Sequence, residues 1–465
     1  MKKLLLGLCL GLSLMAPLPA QDARQQKFQA AVDSYTRQLE KSPNSLEALR
    51  GRSRAYLGLG QIDLALADIQ RAQEMAPKNA GILAERSEVL SKIGRLKDAL
   101  ADIQRAIVLE PRVAAHHLAE SYLYSDLREY KHAVASANQA LALQPGYALA
   151  FCARALASSE LSDFGQAVAD CNQALALQPG LPTAYQVRAF AYTLMENYPQ
   201  ALDDYKVALQ ADPDNVYIYS GRGYTYEKMA QWQDALQDYN RAIQLDPGRG
   251  LTYVSRGGVY LQLQDYNQAF ADYDQAVQLL PQEPRAYCGR GFAQNGQGRF
   301  EAALGDFNTA VALDPTLAES YYGRGLVYFS HEWYGEALKD YNKALELNPE
   351  YVACYASRAH LYEETRRPEL AMQDYNSAIG LSPKAAELYI DRGRLKNDQG
   401  DREGALADIA TAQGLVRSET VSRELQALIA EVENPDQQPP ESGPGEGPEE
   451  RSLPRPQSPG VYDRR

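Results

Sequence analysis

The chain has 465 residues, of which 23% are charged and 45% belong to the nine apolar types. This balance excludes a polytopic membrane protein and a wholly disordered chain. The net charge of −13 argues against nucleic acid as a partner, because phosphate recognition needs clustered Lys and Arg. The 31 Tyr, against 9 Phe and 2 Trp, suggest that one tyrosine position has been copied many times.

Residues 1–20 have the order of a secretory signal peptide. Lys2 and Lys3 give a positive start, an apolar run extends from Leu4 to Met15, and a small, turn-prone stretch ends at Ala20. The run is shorter than the roughly 20 residues that span a bilayer. We expect export to the periplasm or the exterior of a bacterial cell, with no membrane insertion after cleavage. A buried N-terminal helix is the alternative.

Residues 24–45 contain one apolar-periodic stretch of helical length. Ala31 and Tyr35 have the spacing of an alanine and a tyrosine that recur in the segment that follows. We therefore predict a single helix, half of a repeat, that caps the N-terminal end of an array.

Residues 46–419 repeat with a period of 34. Eleven prolines, from Pro43 to Pro383, follow each other at this step without insertion or deletion. Alanines lie twelve and five residues before each closing position, which Arg417 occupies in the eleventh repeat, and the residue 24 before it is always small. Each repeat holds two apolar-periodic stretches of helical length, which predicts a helix pair that approaches closely at the small residues and ends at the proline.

One helix pair cannot bury its own apolar face, so consecutive pairs must stack. The fixed alanines, small residues and prolines resemble the tetratricopeptide repeat family over eleven full repeats. The resemblance implies an all-α, right-handed superhelical solenoid of antiparallel helix pairs. It also implies that the first helix of each repeat lines a concave groove.

The C-terminal segment has two parts. Residues 420–433 place Leu425, Leu428, Ile429 and Val432 on one face, which predicts an amphipathic capping helix. Residues 434–465 contain eight prolines and four glycines in 32 positions, so we predict a disordered tail. The tail could position the array at a distance or bind a proline-recognising partner, and a solubilising tail is the simpler interpretation.

Charges also recur with the repeat. An arginine precedes the small residue in ten repeats and an aspartate lies nine residues before the closing position in the same ten. The third repeat changes both, to Glu120 and Ser136. This joint loss predicts Arg–Asp pairs within each repeat. A row of ligand-binding arginines is the alternative.

The recurrent tyrosines form two series. One series directly follows the aspartate: Tyr205, Tyr239, Tyr273, Tyr341 and Tyr375. The other is the fourth residue of a repeat: Tyr185, Tyr219, Tyr253, Tyr287, Tyr321, Tyr355 and Tyr389. Because both have the period of the repeat, we predict that both serve packing.

Function should lie where the repeats differ. In the family, the second, fifth, ninth, twelfth and thirteenth residues of each repeat face the groove; here they are called the inner face. The middle repeats place apolar and aromatic residues there, and we predict a binding site for an extended peptide or a partner helix at Phe190, Tyr217, Tyr224, Leu251, Val254, Phe292, Tyr322, Leu326 and Phe329. The alternative is that neighbouring repeats bury these residues. The two ends of the inner face are charged.

The sequence gives little support for chaperone-tail binding, metal binding or catalysis. Some family members bind chaperone C-termini through a Lys and Asn clamp, but Arg50, Arg54 and Glu85 stand at those places. We expect no metal and no cofactor, since His116 and His132 lack a third ligand. His360 and Glu364 could share a proton on the inner face. Cys152, Cys171, Cys288 and Cys354 should be mostly free thiols, with a Cys152–Cys171 bond left open.

Two interpretations remain. The first is an exported, monomeric scaffold that binds protein partners in cell-envelope assembly or secretion and has no enzymatic activity. The second is a protein that binds a polysaccharide or a small molecule in the groove. Sugar sites place carboxylates and amides beside their aromatic rings, and the middle of the inner face has few, so we favour the first.

Overall fold

The computed structural model describes residues 18–416 and 418–433, and within these ranges it contains 24 helices and no strands. The described residues form two compact regions, one that ends at Thr252 and one that begins at Tyr253. No helix in the described ranges is long and apolar enough to cross a bilayer. The predicted signal peptide, up to residue 17, and the predicted tail lie outside the described residues.

The first region contains α1 Leu18–Lys41, α2 Leu46–Gly58, α3 Ile62–Met75, α4 Ala80–Lys92, α5 Leu96–Leu109, α6 Ala114–Asp126, α7 Tyr130–Leu143, α8 Ala148–Glu160, α9 Phe164–Leu177, α10 Pro182–Leu194, α11 Tyr198–Ala211, α12 Val216–Lys228 and α13 Trp232–Leu245. Helix α14, Gly250–Gln262, contains the boundary. The second region contains α15 Tyr266–Leu279, α16 Pro284–Gly296, α17 Phe300–Leu313, α18 Ala318–Ser330, α19 Tyr334–Leu347, α20 Val352–Glu364, α21 Pro368–Leu381, α22 Ala386–Asp398, α23 Arg402–Leu415 and α24 Glu419–Glu433. The predicted all-α array of helix pairs is confirmed.

A three-residue turn joins the two helices of each repeat. Its middle residue has a positive φ in all eleven repeats, where an L side chain is strained and glycine is not. Four repeats have glycine there, including Gly298 with φ +73°, and seven have another residue, such as Arg128 with φ +63°. The turn therefore has the same backbone conformation whether its middle residue is glycine or a residue for which a positive φ is unfavourable.

The predicted Arg–Asp pairs are confirmed. All ten arginines donate two hydrogen bonds to the aspartate of their own repeat, at 2.6–2.9 Å. Several arginines also donate to the second helix of the preceding repeat, for example Arg154 to Asn138 and Arg324 to Asn308. Each such guanidinium therefore links its own helix pair to the one before it.

Both tyrosine series serve packing, as predicted. The rings that follow the aspartate are buried, and the small residues of the first helices make room for them. A Cβ added at Gly223, for example, would lie 3.0 Å from the ring of Tyr239. Tyrosines of the second series lie against the repeated arginines, as Tyr321 does against Arg324 at 5.5 Å, and the Tyr321 hydroxyl donates to the main-chain oxygen of Pro315.

The two ends of the array are covered by single helices. Tyr35 and Phe28 of α1 pack under Gly51 and Gly58 of α2. Leu428 and Val432 of α24 are buried in one cluster with α22 and α23. The four cysteines Cys152, Cys171, Cys288 and Cys354 are buried free thiols.

Candidate functional site

The nine residues predicted to bind a partner are mostly buried. Seven expose less than a tenth of their surface: Phe190, Tyr224, Val254, Phe292, Tyr322, Leu326 and Phe329. Tyr217 and Leu251 are half-buried. A side chain covered by its own chain offers little area to a partner. These seven residues therefore match the alternative interpretation, burial by neighbouring repeats. Their role in binding stays a prediction.

Tyr322 shows how this burial arises. Its ring centre lies 4.8 Å from that of Tyr351, which comes from the loop that closes the ninth repeat, and 6.2 Å from that of Phe292. Its hydroxyl lies 3.4 Å from Ser357 Oγ in the following repeat. The inner-face pattern within one helix could not reveal that a loop residue covers the ring.

An arginine adjoins the two accessible residues. Arg249 directly precedes the helix that carries Leu251, and its guanidinium carbon lies 4.0 Å from the centre of the Tyr217 ring. Its Nε and Nη2 atoms are buried and have no hydrogen-bond partner in the described part of the chain. Asp214, in the loop before Tyr217, pairs with Arg241 instead, at 3.0 Å. Buried donors without acceptors are unfavourable, so the Arg249 guanidinium would gain from a carboxylate or a carbonyl that a side-chain movement brought within its reach.

Sequence reasoning missed Arg249, although a signal was present. The last residue of each repeat is neutral or acidic in ten repeats and basic only in the sixth. The inner-face positions of the family do not include this residue, so the pattern passed over it.

At the N-terminal end of the inner face, two arginines bind the carboxylate of a glutamate in the next repeat. Arg50 donates to Glu85 from Nε and Nη2 at 2.9 and 2.7 Å, and Arg54 also contacts Glu85. Burial opposes ionisation of Glu85, but the hydrogen bonds from both arginines outweigh it and lower the pKa of this carboxyl. Neither arginine is therefore free to act as a clamp for a partner's carboxylate.

At the C-terminal end, His360 lies between two carboxylates. Its Nε2 is 3.6 Å from Asp391 Oδ2 and its Nδ1 is 3.6 Å from Glu363 Oε1. Tyr375 Oη lies 3.2 Å from Nδ1 and donates to Glu363. Burial alone would lower the pKa of His360, but the bond to Asp391 and the nearby charges raise it. The histidine thus pairs with these two acids, while the predicted partner Glu364 is exposed.

Two half-buried carboxyls lie at the thirteenth residue of the third and fourth repeats. Burial raises the pKa of Asp126 to about 7, against the opposing charge of Lys92. Burial also raises the pKa of Glu160 to about 7, against Arg128, and its Oε1 atom has no partner in the described ranges. Sequence reasoning did not single out either residue.

The other histidines have local roles. His117 contacts the main-chain oxygen of Pro111 at 3.1 Å, as the tyrosines at the same place do in other repeats. His116 is buried, and His132 is exposed and lies 3.1 Å from Glu129. Within residues 18–416 and 418–433, no group of three His, Cys, Asp or Glu is placed to hold a metal ion.

Comparison with family models agrees with the geometry. Models described as tetratricopeptide repeat match residues 22–80, 216–249, 257–321, 318–351 and 352–384, and a TPR repeat model matches residues 191–229, which together exceed half of the chain. The chain belongs to the tetratricopeptide repeat family. Tetratricopeptide arrays are typical of protein–protein interaction scaffolds.

Solved structures of other proteins also resemble this tetratricopeptide array. A chain of the APC/C hetero-tetramer Cut9–Hcn1 is 14% identical, with 87% of this chain and 94% of that chain covered and a TM-score of 0.49. Yeast Tom70 is 17% identical, with 86% and 96% covered and a TM-score of 0.45. No curated protein matches the chain significantly.

Proposed function

We propose that this chain is an exported scaffold that binds a protein partner along its inner face, in assembly or secretion at the cell envelope. The signal-like order of residues 1–20 supports export. The family supports protein binding, because its arrays are typical of interaction scaffolds. The bound segment would be an extended peptide or a helix.

One observation carries the choice of site: the side chains that repeat have partners inside the array. The arginines bind aspartates, and the tyrosines pack against glycines or arginines. Arg249, Tyr217 and Leu251 belong to neither series, and Tyr217 and Leu251 remain half-accessible. We infer that Tyr217 and Leu251 supply apolar contact and that Arg249 donates to a carboxylate or a main-chain oxygen of the partner.

The test is a pull-down from the envelope fraction with the full mature chain. Arg249→Gln and Tyr217→Ala are compared with Arg112→Gln, which removes an exposed arginine from the loop that closes the second repeat. We expect the wild type and Arg112→Gln to retain the same protein. We expect Arg249→Gln to lose about tenfold in affinity, the value of one charge-assisted hydrogen bond.

Other outcomes point elsewhere. Equal retention by all variants would reject the proposed site at Arg249, Tyr217 and Leu251. Retention of a polysaccharide that only Arg249→Gln and Tyr217→Ala lose would favour the second interpretation, a groove for a polysaccharide or a small molecule. Export is tested separately, by locating the chain with and without residues 2–20 in cell fractions.

A further inference from the structure

One edge of the second region carries an aromatic cluster in which Trp333 is exposed and the other rings are half-buried. Trp333 is 53% exposed, and its ring centre lies 5.6 Å from that of His331 and 5.8 Å from that of Tyr328. Phe300 meets His331 edge-on at 4.7 Å. These four residues lie around the turns between the two helices of the eighth and ninth repeats and are called the turn-edge patch.

Trp333 departs from the pattern of the array. The residue that directly precedes the first residue of each second helix is polar in every other repeat: Gln61, Arg95, Glu129, Asp163, Asn197, Gln231, Asp265, Arg299, Arg367 and Asp401. The ninth repeat alone has a large aromatic residue there. The fold therefore does not require an apolar side chain at this place, and an exposed tryptophan within an aromatic cluster is typical of a contact surface.

A concave surface adjoins the patch. A depression of about 410 Å³ lies between the turns of the seventh and eighth repeats, lined by Tyr266, Gly296, Gln297 and Arg299 among others. Arg299 directly precedes Phe300 of the patch, and its guanidinium carbon lies 5.4 Å from the centre of the Phe270 ring. The turn edge thus carries aromatic side chains and, at the residue before Phe300, the rim of a hollow.

The described chain ends on this same edge. The main-chain oxygen of Glu433, the last residue of α24, accepts a hydrogen bond from Arg402 Nη2 at 3.5 Å. Arg402 begins the second helix of the eleventh repeat, as Phe300 and Tyr334 begin those of the eighth and ninth. Glu433, the last described residue, therefore lies on the side of the inter-helix turns.

The tail is long enough to reach the patch. At about 3.1 Å per residue in a polyproline II conformation, the segment from Glu433 to Pro454 spans roughly 65 Å. Packed helices lie about 8–10 Å apart, and only the tenth and eleventh repeats separate α24 from the ninth. The reach therefore exceeds the separation.

The chemistry of one tail segment fits the patch. Pro454, Pro456 and Pro459 lie close together, next to Arg451 and Arg455. Proline-rich segments dock on aromatic surfaces because the polyproline II conformation loses little entropy on binding. Glu301 and Glu332, both exposed and adjacent in sequence to patch residues, complement the two arginines. We propose that residues 451–459 of this chain bind its own turn-edge patch, a contact separate from partner binding on the inner face.

The experiment uses Trp333 as its own reporter. The chain has two tryptophans, so a Trp232→Phe background leaves Trp333 as the only indole. Emission wavelength and acrylamide quenching are measured on the full chain and on a Pro454→Ala, Pro456→Ala, Pro459→Ala variant. The matched control is Pro435→Ala, Pro439→Ala, Pro440→Ala, which changes the same number of prolines near the start of the tail.

We expect the parent chain and the matched control to show a shielded, blue-shifted Trp333. The 454/456/459 variant should show a red shift and stronger quenching. A synthetic peptide of residues 448–462, added to that variant, should restore the shielding, whereas the same residues in scrambled order should not. Both tail variants keep every residue of the helical array, so we expect both to fold as the parent does.

Two results would overturn the proposal. Equal quenching of Trp333 in all three proteins would show that the tail does not cover it. Shielding that disappears on dilution would assign the contact to the tail of a second copy instead. Because the variants at Arg249 and Tyr217 leave the tail and the patch intact, either proposal can fail without the other.

Discussion

The third and the eighth repeat, residues 114–147 and 284–317, place different residues at the same positions of the helix pair. In the third, Ser136 Oγ donates to Glu120 Oε2 at 2.8 Å, and Ala137 follows. In the eighth, Arg290 donates twice to Asp306 at 2.8 Å, and Phe307 follows. The third repeat thus has one hydrogen bond from a hydroxyl to a carboxylate, followed by an alanine. The eighth repeat has a bidentate ion pair at the same positions, followed by an aromatic ring.

The neighbouring positions change to match. Ala153 of the fourth repeat is buried, whereas the equivalent place in the ninth repeat is held by Gly323, next to Phe307. A Cβ on Gly323 would lie 2.3 Å from the Phe307 ring. The helix pair can therefore form with either combination of residues. Each combination, however, limits the size of the side chain that the next repeat can place beside it. The eighth repeat should be the less tolerant of the two.

The largest expected difference concerns the ion pair. Arg290→Ala leaves Asp306 buried without its guanidinium, and we expect a loss of about 3–5 kcal/mol in local stability. Glu120→Ala in the third repeat removes the bond to Ser136 and a longer one from Gln104 at 3.5 Å, and should cost about 1 kcal/mol. Hydrogen exchange of peptides from each repeat measures both, since arrays need not unfold in one step. Equal losses would mean that the charge makes no difference.

The next test adds a methyl group. Gly323→Ala forces the new Cβ into Phe307, and overpacking of this kind costs about 1–3 kcal/mol. Phe307→Leu in the same chain should recover part of the loss. Gly305→Ala is the control, because a Cβ there meets nothing within 4 Å; it should stabilise α17 by roughly 0.5–1 kcal/mol. A loss at Gly323 that Phe307→Leu leaves unchanged would contradict steric overlap.

The third repeat should show a pH dependence that the eighth lacks. Burial raises the pKa of Asp126 from 3.8 to about 7, and Gly296 stands at that place in the eighth repeat. Between these values the folded state binds more protons than the unfolded state, so stability falls as the pH rises towards 7 and stays level above it.

Allowing for partial exposure, we expect a loss of about 1–2 kcal/mol between pH 4 and pH 8. Asp126→Asn should abolish the part of this stability loss that Asp126 causes. Hydrogen exchange at several pH values measures it. A loss of unchanged size in Asp126→Asn would assign it to another carboxyl, such as Glu160.

The smallest expected effect concerns the inter-helix turn. Arg128 has φ +63° in the third repeat, and Gly298 has φ +73° in the eighth. Arg128→Gly should stabilise the turn by about 1 kcal/mol, and Gly298→Ala should destabilise it by about the same amount. Thermal unfolding followed by circular dichroism measures both. Shifts in the same direction would contradict the argument from φ.

The periodic part of the fold could be predicted from the sequence. Contacts such as Arg324 with Asp340, or Tyr239 with Gly223, recur at fixed separations, so each repeat is an independent copy of the same evidence. The loss of Arg and Asp together in the third repeat predicted their pairing, and the structure confirms it. Periodicity also predicted helix ends to within a few residues, because the closing proline marks them.

The candidate site could not be predicted in the same way. Burial of Tyr322 depends on Tyr351, a loop residue that the first-helix pattern does not include. Its place as the one basic residue at the end of a repeat distinguishes Arg249 in the sequence, but its contact with Tyr217 and its missing acceptors within the described residues emerged only from the structure. Whether a side chain is buried, or a donor lacks an acceptor, depends on several segments that pack together. A sequence pattern within one segment therefore cannot predict either property.

The bonds from arginine to the preceding repeat have a consequence for how such a chain can evolve. Repeats such as the fourth, ninth, tenth and eleventh present an arginine towards the repeat before them, as Arg154 contacts Asn138, Arg324 contacts Asn308, Arg358 contacts Asn342 and Arg392 contacts Asn376. Copying a segment of 34 residues in tandem would supply donor and acceptor together. Gene duplication could therefore lengthen the array without any new contact having to arise by mutation.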